Sequence, residues 1–173
     1  MVWNRDIPHS DVREIKAQRV IDVAADKVWT IIEDVEKYIE FMPYLTEVTV
    51  LSRKPNSLSA YHRFDAPLIS KCDYTLTITS SPKSKEGHFF RHWITTNEKG
   101  PAPKEDLVRV TICEGSWTIE KAGPKKTRLI YWAHTHPGGF IPNWIANKAN
   151  SVSLPDLYDA IENRAKDPSW KRD

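Results

Sequence analysis

The chain has 173 residues and a formal net charge of +2, from 25 Lys and Arg against 23 Asp and Glu. That length suits one domain with a substantial core, and 40% hydrophobic with 28% charged residues is the composition of neither a disordered chain nor a membrane span. The charges are scattered and nearly balanced, so no nucleic-acid partner is implied, whereas seven Trp, six Tyr and five Phe offer large apolar area with few rotors, as a core or a ligand cavity requires.

Residues 1–13 read as a polar, irregular N-terminal extension in which Trp3 is pinned to the body. IKAQRVIDV (15–23) is a first strand. A helix follows from about Ala25, because Val28, Ile31, Ile32 and Val35 recur at helical spacing with Trp29 beside them. Its N-cap is poor, since Ala24 has no side-chain acceptor, although Asp26 suits the first-turn dipole. YIEFMPYL (38–45) breaks the helix at Pro43.

Strands dominate the middle. EVTVLSRK (47–54) ends at a Pro-Asn-Ser turn, and LSAYHRFD (58–65) ends before Pro67. CDYTLTITS (72–80) alternates, with Cys72, Tyr74, Leu76 and Ile78 on one face and Asp73, Thr75, Thr77 and Thr79 on the other. SPKSKEG is a polar turn before HFFRHWITT (88–96). LVRVTICEGSWTIEK (107–121) is one long strand with Gly115 as a bend or bulge. The turn AGPKK leads into the last strand, TRLIYWAHT (127–135). Lys121, Lys125, Lys126 and Arg128 surround that turn and read as a solvated hairpin tip, with a membrane-surface contact as the alternative.

HPGGFIPNWIAN (136–147) crowds two glycines and two prolines directly before an apolar, tryptophan-bearing helix. A surface helix has no need of Phe140, Ile141, Trp144 and Ile145 so close together; a lid over something apolar does. Residues 141–165 are read as helical, with Ile141, Trp144, Ile145, Val152, Leu157 and Ile161 as one apolar stripe. Pro155 inside this stretch kinks or splits the helix. Consecutive strands with short turns imply an antiparallel sheet that one long amphipathic helix covers. The fold class is therefore α+β: a curved antiparallel sheet of about six to seven strands around a C-terminal helix.

Four stretches, in order, resemble the START (StAR-related lipid-transfer) domain of the helix-grip or SRPBCC superfamily, in its bacterial single-domain form. They are VAADKVWTIIEDVEKYIEFMP (23–43), FDAPLISKCDY (64–74), VRVTICEGSWTIEK (108–121) and TRLIYWAHTHPGGFIPNWIAN (127–147). The resemblance spans residues 14–166, leaving 167–173 as a C-terminal tail. It implies a helix-grip fold with an internal hydrophobic cavity and a turn that positions a lid helix, with Pro142 in its first turn and Asn147 bonded to nearby backbone. The sequence departs from the family where Arg-Asp is replaced by Cys72-Asp73 and the turn acid by His136. Cys72 cannot pair with a charged head group.

The implied function is binding, with transfer, of a lipid or other hydrophobic small molecule such as a sterol or quinone, by a monomer that touches a membrane surface transiently. The expected ligand-binding residues are Tyr74, Leu76 and Ile78, then Phe90, His92 and Ile94, with Trp117, Tyr131 and His134 from neighbouring strands and Trp144, Ile145 and Val152 from the helix. Tyr74, His92 or His134 would orient a head group. Past Gly115 the facing is open, because a bulge flips parity. No cofactor or metal is expected: Cys72 and Cys113 have neither metal nor redox spacing and read as small packed residues, and the His pairs 134/136 and 88/92 supply too few converging ligands. The alternatives are a polyketide cyclase or aromatase using Glu114 or Asp73 as a buried acid, and a coenzyme Q-type quinone-binding protein, which YIEFMPYL resembles. A cytoplasmic location is expected without a leader or transmembrane run, and a periplasmic or secreted one if a leader preceded MVWNRD.

Overall fold

The computed structural model describes residues 1–67, 69–85, 87–136, 138 and 153–170, the side chains of 82–85 excepted. Among them are nine strands: β1 (Val2–Arg5), β2 (Glu14–Ile21), β3 (Leu45–Lys54), β4 (Ser57–Phe64), β5 (Cys72–Lys85), β6 (His88–Thr95), β7 (Val108–Arg109), β8 (Ile112–Gly123) and β9 (Lys126–His136). Two helices accompany them, α1 (Ala25–Glu33) and α2 (Leu154–Lys166), with a 3-10 turn at Val35–Glu40. The sheet order is β1-β2-β9-β8-β6-β5-β4-β3, antiparallel at every step, and β7 pairs in parallel with the start of β5.

The count exceeds the expected six to seven for two reasons. Residues 2–5, read as irregular, pair with Glu14–Ala17 and extend the sheet edge; Trp3 there is substantially exposed rather than pinned. The expected long strand 107–121 is broken before Ile112, and Val108 and Arg109 leave it to pair with Cys72 and Asp73. They take over as partners of β5 where β6 has ended at Thr95. The turn expected at SPKSKEG also shrinks, because β5 runs on to Lys85.

Helix α1 follows its sequence pattern. Ala25, Val28, Ile31 and Ile32 are buried, and Ala24 caps only through its backbone. Trp29 stacks on Phe89 with ring centroids 5.0 Å apart, fixing the helix to β6. Helix α2 buries Leu154, Tyr158, Ile161 and Ala165, one stripe at helical spacing. Pro155 lies in its first turn, where a missing N–H costs nothing. Of the expected stripe, Ile141, Trp144, Ile145 and Val152 lie outside the described residues, as do Pro142 and Asn147.

Two apolar clusters result. One joins β2, β8, β9, α1 and α2 through residues such as Ile21, Val28, Ile119, Leu129 and Ile161. The other joins β4, β5 and the start of β8 through Leu58, Ala60, Leu76, Ile78, Val110 and Cys113. Trp93 packs against both.

Gly115 is neither bend nor bulge. The β8–β9 register runs unbroken from Ile112 to Lys121, and Cys113 and Trp117 on either side of the glycine face the same way. Glycine is needed here for space. A Cβ would stand 2.4 Å from Trp93 Cζ2 and 2.5 Å from the Trp132 carbonyl oxygen. Gly115→Ala is therefore expected to lower the unfolding free energy by ~1–3 kcal/mol, the usual cost of overpacking, measured by urea denaturation.

A candidate ligand cavity

Between the two apolar clusters the inner face of the sheet encloses a cavity of about 280 Å³. Strand alternation dictates its walls: Cys72, Tyr74, Leu76 and Ile78 come from β5, Arg91 and Trp93 from β6, Cys113 and Trp117 from β8, and Tyr131, Ala133 and Thr135 from β9. Tyr38 and Met42 close one side from the turn after α1, and Leu154 and Leu157 of α2 another. Tyr44, in the left-handed region at φ 63, and the loop residues Ala66, Pro67 and Ile69 line the end beyond β4.

Of the residues expected at the site, Tyr74, Leu76, Ile78, Trp117 and Tyr131 are brought together on this wall. Trp117 and Tyr131 pack ring against ring at 4.7 Å. Trp144, Ile145 and Val152 lie outside the described residues. Phe90, His92 and Ile94 are on the opposite, outer face, where they border a shallow depression with Trp132 and Glu114. The inward residues of β6 are Phe89, Arg91 and Trp93. Both frames of HFFRHWIT carry aromatics, and the frame with the arginine is the one that faces in. His134 is also on the outer face, since it stands three residues from inward-facing Tyr131 and an alternating strand cannot turn both the same way. Its Nε2 is 2.9 Å from Ser10 Oγ and its Nδ1 3.1 Å from Glu114 Oε1, so it fastens the N-terminal segment over the sheet.

The two acids considered for catalysis are placed away from the cavity. Glu114 holds His134. Asp73 is fully buried on the outer face of β5, not at an edge. It accepts from Arg109 Nε at 2.7 Å, Arg109 Nη2 at 2.9 Å and the Tyr61 hydroxyl at 2.9 Å. Burial alone would raise the Asp73 carboxyl, but the hydrogen bonds from Arg109 and Tyr61 and the arginine charge outweigh it, and its pKa lies below the usual range. This is a structural ion pair that clamps β7 against β5.

Sequence reasoning missed two polar groups of the wall. His62, from β4, stacks on Tyr74 at 5.5 Å, and its Nδ1 is buried with no hydrogen-bond partner. Desolvation lowers its pKa to about 4, so the imidazole is neutral near pH 7. Arg91 is buried and extends to the end of α1, where its Nη1 donates to the Ile32 carbonyl, which also accepts from the Tyr38 hydroxyl at 2.6 Å. Period-two alternation through His62, and through Trp93 on β6, was the available signal for both. Cys72 and Cys113 are free thiols that burial pushes up to about 12 and about 11, away from the reactive thiolate form. Among the described residues no three His, Cys, Asp or Glu side chains converge as metal ligands, and no helix is long and apolar enough to cross a membrane.

The family described as "Polyketide cyclase / dehydrase and lipid transport" matches residues 21–162. START domain-containing protein 10 of human and mouse is 24% identical over 153 residues, covering 87% of this chain and 52% of the relative. The chain thus spans about half the length of these curated relatives. Among solved structures, a fragment of a STAR-related lipid transfer protein from Xanthomonas axonopodis superposes with a TM-score of 0.84 at 23% identity, covering 96% of this chain and 93% of that one. The Zhui aromatase/cyclase of Streptomyces sp. R1128 superposes with a TM-score of 0.70 at 15% identity, covering 89% and 93%. The fold is thus the START helix-grip, common to lipid-transfer proteins and cyclases, and the chain belongs to the polyketide cyclase/dehydrase and lipid transport family.

Proposed function

We propose that this chain binds a lipid or a similarly apolar small molecule, such as a sterol or quinone, in the inner cavity and carries it between membranes. The observation that carries this reading is the mostly apolar cavity of about 280 Å³ between two packed clusters. A ligand there keeps its apolar surface from water at roughly 25 cal/mol per Å². The placement of Asp73 and Glu114 outside the cavity supports carriage over acid-base turnover.

One observation favours a second reading. A cyclase-type enzyme needs a titratable group facing the ligand, and His62 is such a group. Its lowered pKa makes it a weak base near pH 7, which is the argument for ranking catalysis second.

The carrier reading is tested with Nile red, an uncharged dye that brightens in apolar surroundings. Wild-type protein is expected to bind it, and Leu76→Trp, which projects an indole into the cavity, to lose at least ten-fold in affinity with an unchanged far-UV circular dichroism spectrum. Equal binding by both proteins would place the dye elsewhere and overturn the cavity as the binding site. Native mass spectrometry followed by organic extraction then names the class of any molecule that copurifies.

His62 gives a stability prediction. The unfolded imidazole titrates near 6.5, and the folded one near 4. The unfolded state therefore takes up the proton first as the pH falls. The stability due to neutral His62 is complete above about pH 6.5 and is lost progressively toward pH 4, by ~3 kcal/mol. His62→Phe, which keeps a ring against Tyr74, is expected to remove this part of the acid sensitivity in urea denaturation at a series of pH values.

A further inference from the structure

Arg91 is a permanently charged group in the wall of a mostly apolar cavity. It is 4% exposed. Buried guanidinium groups are ordinarily matched by a carboxylate. The ion pairs of the described residues include none to Arg91, although arginines 5, 13, 19, 53, 63, 109, 128 and 164 all have one. Its partners are neutral, the Ile32 carbonyl and the Tyr38 hydroxyl, and its Nε has none. The negative end of the α1 dipole, roughly half a charge, offsets it in part. Glu33 and Asp34 act electrostatically on Tyr38, so the corner is not devoid of negative charge.

Position adds to this. Arg91 lies opposite Ser80 of β5, whereas His62 lies opposite Tyr74 of the same strand. Six residues of strand put about 20 Å between those levels. The loop residues Ala66 and Pro67 line the His62 end. Arg91 is therefore at the end of the cavity opposite those loop residues, beneath α1.

Resting on the carrier reading, we infer that the cavity takes a single-chain amphiphile with an oxyanion head group, carboxylate or phosphate, anchored at its inner end by Arg91 with Tyr38 beside it. The guanidinium supplies charge and directed N–H donors, and the alternating apolar wall from Ile78 to Cys72 accommodates the chain.

The test is displacement of Nile red by palmitate and by hexadecanol, which share a chain length and differ in head-group charge. Palmitate is expected to displace the dye at a concentration at least ten-fold lower than hexadecanol. Arg91→Met should bring the two within about three-fold, and Arg91→Lys should keep most of the preference. Hexadecyl phosphate in the same assay separates the two oxyanion sources; displacement tighter than that by palmitate supports the site and assigns it to phosphate. Equal displacement by palmitate and hexadecanol in wild-type protein overturns the anion site and leaves the carrier reading standing, even if Arg91→Met fails to fold. A preference that survives in folded Arg91→Met overturns the role of Arg91. Absence of dye binding in wild-type protein overturns the carrier reading, and the inference with it.

Discussion

The two-residue alternation of the strands is the constraint on which the cavity depends. Four neighbouring strands, β5, β6, β8 and β9, turn alternate residues inward without interruption over the stretch that matters. Because that stretch of the β6–β8 and β8–β9 ladders is free of bulges, Trp93, Trp117 and Tyr131 meet on one side. A one-residue slip in any of these strands would turn its wall residues to the outer face. Gly115 fits this packing because only a residue without a Cβ lets the Trp93 indole come so close to β8.

The outer face makes the inner one possible. An open sheet this long needs something to hold its curvature and cover its back. Between β5 and β8 this is done by the segment that ends in β7, fixed by the Asp73–Arg109 pair and by Asn97, which accepts from the Thr75 N–H and donates to the Val110 carbonyl. Near β9 the N-terminal segment does it, through Ser10 and His134. Both are polar contacts made by side chains of outward parity. Arg91 apart, buried ionic groups are thus held on the outer face, and the inner face is left mostly to aromatic and aliphatic groups.

This division explains what was legible in the sequence. Helix α1, the order of elements and the inward face of β5 could be read because their apolar periodicity is unambiguous: Val28, Ile31 and Ile32 in one case, Cys72, Tyr74, Leu76 and Ile78 in the other. The facing of β6 could not, because Phe90, His92 and Ile94 form as plausible an apolar frame as Phe89, Arg91 and Trp93, and only tertiary contact with α1 decides between them. His134 misled for a related reason: it is buried, but by the N-terminal segment, and a strand pattern does not say which covering element hides a residue. β7 was invisible because two residues carry no period. Its existence depends on Arg109 reaching Asp73, a contact spanning 36 positions.

The gap between the two clusters has an energetic consequence for any reading of function. At ~24 cal/mol per Å³, leaving about 280 Å³ unfilled by side chains forgoes about 7 kcal/mol relative to a packed core. That is an upper figure, since water entering the gap recovers part of it, yet it is comparable to the whole stability of a typical domain. A sequence selected only for stability would close such a gap with larger side chains at Ala133 or Cys113, both of them buried, small and in the cavity wall. Keeping them small makes sense if a bound molecule supplies the missing contacts. In that case ligand occupancy and folding are linked, and a ligand at a hundred times its dissociation constant adds ~2.7 kcal/mol to the folded state. Stability and cargo then share one determinant, the volume that the inward residues leave unfilled.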